Sequence, residues 1–246
     1  MDVSSFVLLS HEEALRRRLD VAANNMANTN TVGFKREQPL FHEYVEQTAD
    51  APIEDAKKTS FVLDFGAIHD TTQGAFQATG NPLDVMIDGP GYLSVQTPGG
   101  VAYTRAGFVK VLQSGVLATS SGDPLLDDKG RTITVPTDQQ NRITITADGS
   151  VMGPDGVIGR LGVTSFSNEA VVTPRGDGMM AGTGGRVLTP AETRLKSGGV
   201  EASNVEPIAE TTKMVEILRA YQTSQAMSQS LDDLRHNAIQ RLGKVN

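Results

Sequence analysis

The chain contains no cysteine and no tryptophan, and only 5% of it is aromatic. Without cysteine there is no disulfide framework, no zinc–thiolate cluster and no thiol nucleophile. A chain that cannot mispair in an oxidising compartment also suits an exported protein. Positive charge is in deficit: 22 Lys and Arg stand against 29 Asp and Glu, a net charge of −7. That balance speaks against nucleic acid, which demands a concentrated positive field, and disfavours an anionic membrane surface. No run of about 18 apolar residues is present, so no membrane insertion is expected. Met1 to Leu9 lacks a basic n-region, and Phe6-Val7-Leu8-Leu9 is too short for an h-region, so no cleaved Sec-type signal is expected. His11, His42, His69 and His236 are scattered without metal-ligand spacing. No H-E-x-x-H, G-x-S-x-G, P-loop or G-x-G-x-x-G motif occurs. The turns at Asp148 and Asp155 lack the EF-hand series and read as hairpins. No catalytic residue, cofactor, metal or small-molecule substrate is expected.

Glycine and proline are absent from residues 3–28, and this stretch reads as a helix of roughly 39 Å. Leu15, Leu19, Ala22 and Met26 step by four, three and four along one seam, which Leu8 and Glu12 extend upstream. Asn28-Thr29-Asn30-Thr31-Val32-Gly33 stops it with Asx and glycine chemistry. A second helix of about 35 residues is expected after Asn204, with Asn204 or Glu206 as its cap and Pro207 in its first turn. Its seam is Ile217, Ala220, Ser224, Met227, Leu231, Leu234 and Ala238. Between the helices, turn pairs such as Asp88-Gly89, Gly99-Gly100, Asp148-Gly149 and Asp155-Gly156 separate short β-rich runs. Val101–Tyr103, Phe108–Leu112, Arg131–Val135, Ile143–Thr146 and Arg160–Phe166 are such runs, and they predict antiparallel hairpins in a sandwich or barrel.

The expected fold is therefore mainly β with long terminal α-helices: a central antiparallel β-domain flanked by N- and C-terminal helices that form a coiled-coil-like assembly domain. Residues 1–34 are read as the N-terminal assembly helix and 35–60 as an extended linker with some local helix. Residues 61–198 are read as the β-domain and 199–246 as the C-terminal assembly helix. Ala22, Ala220, Ser224 and Ala238 let helices approach closely but bury little area, and at about 25 cal/mol per Å² such a seam is weak alone. Two readings follow. Either the helices form a hairpin packed on the β-domain, or the ends, to about residue 35 and from about residue 200, fray alone and fold on meeting copies or partners.

One stretch is specific. Leu19-Asp20-Val21-Ala22-Ala23-Asn24-Asn25-Met26-Ala27-Asn28-Thr29-Asn30-Thr31-Val32-Gly33-Phe34-Lys35 resembles the N-terminal signature of flagellar rod and hook proteins, A-N-N-(L/M)-A-N followed by T-x-G-F-(K/R). Gly199-Val200-Glu201-Ala202-Ser203-Asn204-Val205-Glu206-Pro207 and Met214-Val215-Glu216-Ile217-Leu218-Arg219-Ala220-Tyr221-Gln222 are similar to the C-terminal motifs of the same family. Thr79 to Gly89 and Ala102 to Gly107 match its middle. The chain is thus identified as resembling the flagellar basal-body rod protein family. The likeness is greatest to proximal-rod members, through length, Ile143 to Gly149 and Val157 to Val163, with distal-rod members next. Met1 to Arg18 matches loosely, and Met26 and Val200 stand where Leu is commoner.

The resemblance implies a structural subunit whose terminal helices pack with those of neighbouring rod subunits and of its own copies into an inner tube, β-domains outside. It further implies the periplasm-spanning rod as location and export through the flagellar type III apparatus. Asn28 with Gly33 reads as an ordinary C-cap. Asn24 and Asn25 are poor helix formers, and their cost predicts buried inter-subunit hydrogen bonds. Phe34 is expected to anchor the returning chain. Arg219 and Tyr221 read equally as subunit bridges or as a solvated Arg and a core Tyr. Arg16-Arg17-Arg18 reads as a solvated face with Glu12 and Glu13 at i−4. An exported wall-modifying enzyme needs paired carboxylates or a His-based site, and no such constellation is seen in the sequence. An adaptor needs an exposed apolar or aromatic patch, and the low aromatic content speaks against it.

Overall fold

The computed structural model describes residues 3–47, 58–140, 142–167, 172–175 and 178–242. The chain forms two compact units: residues 1–27, 37–68 and 206–246 make the first, and residues 28–36 and 69–205 the second.

The first unit holds both helices. α1 spans Val3–Ala27 and α2 spans Pro207–Leu242, 25 and 36 residues long. Pro207 is the first helical residue, where its missing N–H costs nothing, and Glu206 O accepts the first intrahelical bond from Glu210 N at 3.0 Å. Charges cancel within each helix: α1 carries Arg16, Arg17 and Arg18 against Glu12, Glu13 and Asp20. α2 balances Lys213, Arg219, Arg235 and Arg241 against Glu210, Glu216, Asp232 and Asp233.

Residues 35–60 depart from the expected linker. β1 (Glu37–Gln47) pairs with β2 (Lys58–His69) in a two-stranded ribbon, and no helix lies in its described part. Tyr44, Leu63, Phe65 and Ile68 remain 46–65% exposed. Because neither face is fully covered, the strands lack the clean alternation by which a half-buried strand is read from sequence.

The second unit is a set of antiparallel sheets. Its strands are β3 (Phe76–Ala78), β4 (Val85–Ile87), β5 (Tyr92–Thr97), β6 (Gly100–Thr104), β7 (Val109–Val111), β8 (Leu117–Thr119), β9 (Thr144–Ile145) and β10 (Ser150–Gly153). There follow β11 (Gly156–Arg160), β12 (Val163–Ser165), β13 (Thr173–Pro174), β14 (Met180–Ala181), β15 (Arg186–Val187), β16 (Leu195–Ser197) and β17 (Gly199–Glu201). The largest sheet has six strands in the order β13-β14-β6-β5-β12-β15. β5 and β6 form a hairpin in register from Leu93↔Thr104 to Thr97↔Gly100, with Gly100 at φ 106° closing the Pro98-Gly99 connection. Leu93, Val95, Ala102, Leu117, Leu125, Val151, Leu161 and Val163 are at most 1% exposed and belong to one core. Each such Val or Leu contributes about 1.5–3 kcal/mol.

Four of the five β-rich runs contain strands. The fifth, Arg131–Val135, buries Ile133 and Val135 as alternation predicts, but Thr132 and Thr134 make only isolated bridges, to Leu126 and Val116. The boundary of the β unit also lies outside the expected one. β17 pairs with β3, so residues 199–201 are strand rather than the approach to a helix. Residues 28–36 and 199–205 are built into the β unit.

Candidate functional site

The helix pair is held by a narrow seam. Leu15, Ala22 and Ile217 form a buried cluster, with Leu19, Met214, Ala220 and Tyr221 packed against it. Glu12, the polar break in the α1 seam, accepts a hydrogen bond from Ser224 Oγ at 3.3 Å. Farther along, Arg235 Nη2 donates to Ser5 Oγ at 2.7 Å. Ile217 and Ser224 are buried and Leu231 half-buried, as are Tyr221, Ser228 and Arg235, each four residues farther on. The other row of the expected seam turns away: Ala220 is half-buried, but Met227 and Leu234 are 57% and 65% exposed, and Ala238 is exposed as well. A straight helix drifts about 20° per heptad relative to a 3.5-residue repeat, so one partner helix covers only one side of a long seam.

The asparagines at the end of α1 have separate fates. Asn25 is 1% exposed. Its amide donates to Glu37 O at 2.9 Å and accepts from Glu37 N at 2.8 Å. It meets its hydrogen-bonding demand within the chain, fastening the start of β1 to the helix, rather than with a neighbour as expected. Asn24 is exposed and Met26 half-buried. Asn28 lies just past the last helical residue, where its backbone carbonyl accepts from Thr31 N at 3.1 Å and its side chain accepts from Thr31 Oγ1 at 3.0 Å.

The densest polar site lies where the chain enters and leaves the β unit. Gly33 has φ 72° and its N–H donates to Glu201 O at 2.8 Å. A Cβ on Gly33 would stand 2.4 Å from the Arg105 carbonyl carbon, so glycine is required by space as well as by dihedral. Phe34 is half-buried, and the anchoring side chain is its neighbour Lys35, 2% exposed. Lys35 Nζ donates to Glu201 Oε1 at 2.6 Å and to Thr72 O at 2.7 Å. The same Oε1 accepts from Gly74 N at 2.9 Å, and Oε2 accepts from Arg105 Nη1 at 3.1 Å. Arg105 Nη2 donates to Gly89 O at 2.8 Å, and the guanidinium lies 5.3 Å from the centre of the Tyr92 ring. Burial pushes the Lys35 ammonium below its ordinary value, against the pull of Glu201 in the opposite direction. Desolvating three charges is costly, and the ion pairs and hydrogen bonds offset it, although Arg105 Nε is buried without a hydrogen-bond partner among the described residues.

Asn204 belongs to this junction, not to a helix cap. Its side chain accepts from Arg36 N at 2.7 Å and donates to Asp70 O and Thr72 O at 2.9 and 3.0 Å. The incoming segment 33–36 and the outgoing segment 201–204 are thus bonded directly to one another.

Lys35, Arg105 and Glu201 were not singled out from the sequence, although each sits in a quoted motif. For Arg105 and Glu201 the available signal is a charge without charged neighbours, whereas Lys35 stands beside Arg36 and Glu37 and carries no such signal. Pairing across a separation of 166 residues leaves no local trace. Of the basic run, Arg17 pairs with Asp64 at 3.1 Å instead of with Glu13. Asp148 is a turn residue, bonded to Thr146 and Ser150. Among the described residues no cluster of His, Cys, Asp or Glu suits a metal ion, and no helix is long and apolar enough to cross a membrane.

Family models match this chain in three places. The model for flagella basal body rod protein covers residues 12–35. That for the flagellar hook protein FlgE/F/G D1 domain covers residues 86–153. That for the flagellar basal body rod FlgEFG protein C-terminal region covers residues 196–241. Lys35, Arg105 and Glu201 fall one in each. Among similar proteins, the flagellar basal-body rod protein FlgF of Caulobacter vibrioides is 36% identical over 248 residues, covering 100% of both chains. FlgF of Mesorhizobium japonicum is 32% identical over 99% of both. The rod protein FlgG of Bacillus subtilis is 33% identical, covering 94% of this chain and 96% of that one.

Proposed function

Since the chain belongs to the flagellar basal-body rod protein family, we propose that it polymerises helically through α1 and α2 to build the proximal rod. It is a structural subunit of the rod in the flagellar basal body and assembles with other rod subunits. In the proposed assembly the terminal helices line the export channel and transmit torque, and the chain reaches its place through the flagellar type III export apparatus. Leu15, Leu19, Ala22, Ile217, Ala220, Tyr221 and Ser224 hold the helix pair of one copy, and Met227 and Leu234 meet a neighbour.

The observation that supports polymerisation is the one-sided seam. α2 buries Ile217 and Ser224 but leaves Met227 and Leu234 open along a second row. An apolar row that its own chain does not cover suits a contact to the next copy, and a heterologous contact that does not close gives a filament. The similarity to FlgG members favours a second reading, a distal-rod subunit with the same mechanism. Quantitative mass spectrometry of purified hook–basal bodies decides between them. A low copy number, about one partial helical turn, fits the proximal rod. A number several times larger moves the chain to the distal rod, and absence overturns the rod assignment.

A further inference from the structure

We infer that residues 194–204 are a closing strap, and that the β unit stays open until this late stretch of chain is in place. The strap runs as two short strands, β16 and β17, joined at Gly198, whose φ of 83° makes the step between them. Among the described strands β4 pairs only with β16, from Leu195↔Ile87 to Ser197↔Val85. β3 pairs only with β17, from Gly199↔Ala78 to Glu201↔Phe76. The bonding runs on beyond both ladders. Asp88 N donates to Arg194 O at 2.8 Å, Thr79 N to Gly198 O at 2.9 Å and Ala202 N to Ala75 O at 2.9 Å. The strap also completes the apolar packing, since Leu195 lies with Val85 and Ile87 in the core and Val200 is fully buried.

Order along the chain makes the strap last. β5–β6 and β10–β11 are hairpins between sequence neighbours, and such local pairings close at little entropic cost. The segment leading into β3 must wait for a partner far along the chain: Gly74 and the Glu201 carboxylate it bonds are 127 residues apart. A chain made from its N-terminus presents β3 and β4 before their strap exists. Charge reinforces this order. Lys35 and Arg105, both buried, repel one another. Glu201 bridges them through separate oxygens, at 2.6 and 3.1 Å. Until that carboxylate is seated, desolvation and mutual repulsion oppose burying the two cations together, and segment 33–36 is not drawn onto the sheets. The unit is thus held open, not merely unfinished. An open unit suits a chain that is threaded through an export apparatus, a consequence that rests on the export reading above.

Pulsed hydrogen exchange read by mass spectrometry, during refolding of the purified full chain from urea, tests the order. β5–β6 and β10–β11 are expected to gain protection in an early phase, and residues 33–36, 74–88 and 194–204 together in a later one. Protection of 194–204 that appears with β5–β6, or before it, overturns the strap. The role of charge is read at equilibrium. Lys35→Met made in the Glu201→Gln chain is expected to recover about tenfold of the protection lost over residues 199–204, because it removes a cation left without its carboxylate. The same substitution lowering protection as much in that chain as in the wild type overturns the repulsive role. Should Glu201→Gln fail to fold, the order of protection in the wild-type chain decides alone. Every one of these outcomes leaves the rod assignment to the basal-body measurement.

Discussion

Replacing Glu201 by Gln tests whether the junction holds the two ends of the β unit. The substitution keeps shape but removes the negative charge that pairs with both Lys35 and Arg105, which are 2% and 7% exposed. The carboxylate accepts three hydrogen bonds, from Lys35, Gly74 and Arg105. The amide offers a single acceptor oxygen and turns an NH₂ toward one of those donors. Removing one partner from a buried ionic group costs about 3–5 kcal/mol, a large share of the roughly 5–15 kcal/mol that holds a domain together. Hydrogen exchange read by mass spectrometry over residues 33–36 and 199–204 is the sensitive assay. Protection there is expected to fall by about two to four orders of magnitude, with smaller changes in β5 and β6. Lys35→Met removes one of two cations and leaves Glu201 bonded to Arg105 and Gly74 N, so its cost is smaller, about 1–3 kcal/mol. Protection in Glu201→Gln within threefold of wild type, or a greater loss in Lys35→Met, would refute the reasoning.

Further outcomes follow from other sites. Gly33→Ala forces a Cβ to 2.4 Å from backbone at φ 72°; a loss of about 1–3 kcal/mol is expected in thermal unfolding, and an unchanged midpoint would show that the loop relaxes freely. Ile217→Ala should destabilise the isolated helix pair by about 2–4 kcal/mol, whereas Leu234→Ala, at a position 65% exposed, should stay within about 0.5 kcal/mol yet impair incorporation into basal bodies. Hydrogen bonds from Thr146 and Ser150 hold the Asp148 carboxylate down at about 2, against an ordinary 3.8. Its contribution is therefore full above pH 3.8 and lost as pH falls through about 2. Asp148→Ala should accordingly lower stability by roughly 1 kcal/mol at pH 7, and urea midpoints of the two proteins should converge below pH 2.

The helices and the β-domain were legible because their signals are local. An uninterrupted stretch without Gly or Pro predicts α1 within a residue, and Pro207 marks the start of α2 as its fixed φ requires. The ribbon was not legible, because strands open on both faces carry neither a period of two nor a continuous apolar run. Periodicity found the apolar rows of α2 but not which row meets α1. That depends on the length and rotation of a partner helix, which no spacing within α2 encodes. The junction was the hardest to see. Asn25 looked like a cost to be met by another subunit, and only the path of the returning chain brings Glu37 to it. Lys35, Arg105 and Glu201 acquire a common role only once β3 and β17 are paired.

The direct bonding of residues 33–36 to 201–204 has a mechanical consequence. A pull that separates the two termini first opens the α1–α2 seam from its Ser5–Arg235 end and only then reaches the bonds between residues 33–36 and 201–204, which it opens one by one, as a zipper opens. A pull that slides one segment along the other instead loads the Gly33–Glu201 and Arg36–Asn204 contacts together with the buried Lys35–Glu201 pair, which then share the force. The same set of bonds is weak in peeling and strong in shear, and the direction of loading, more than its size, decides whether the β unit stays closed.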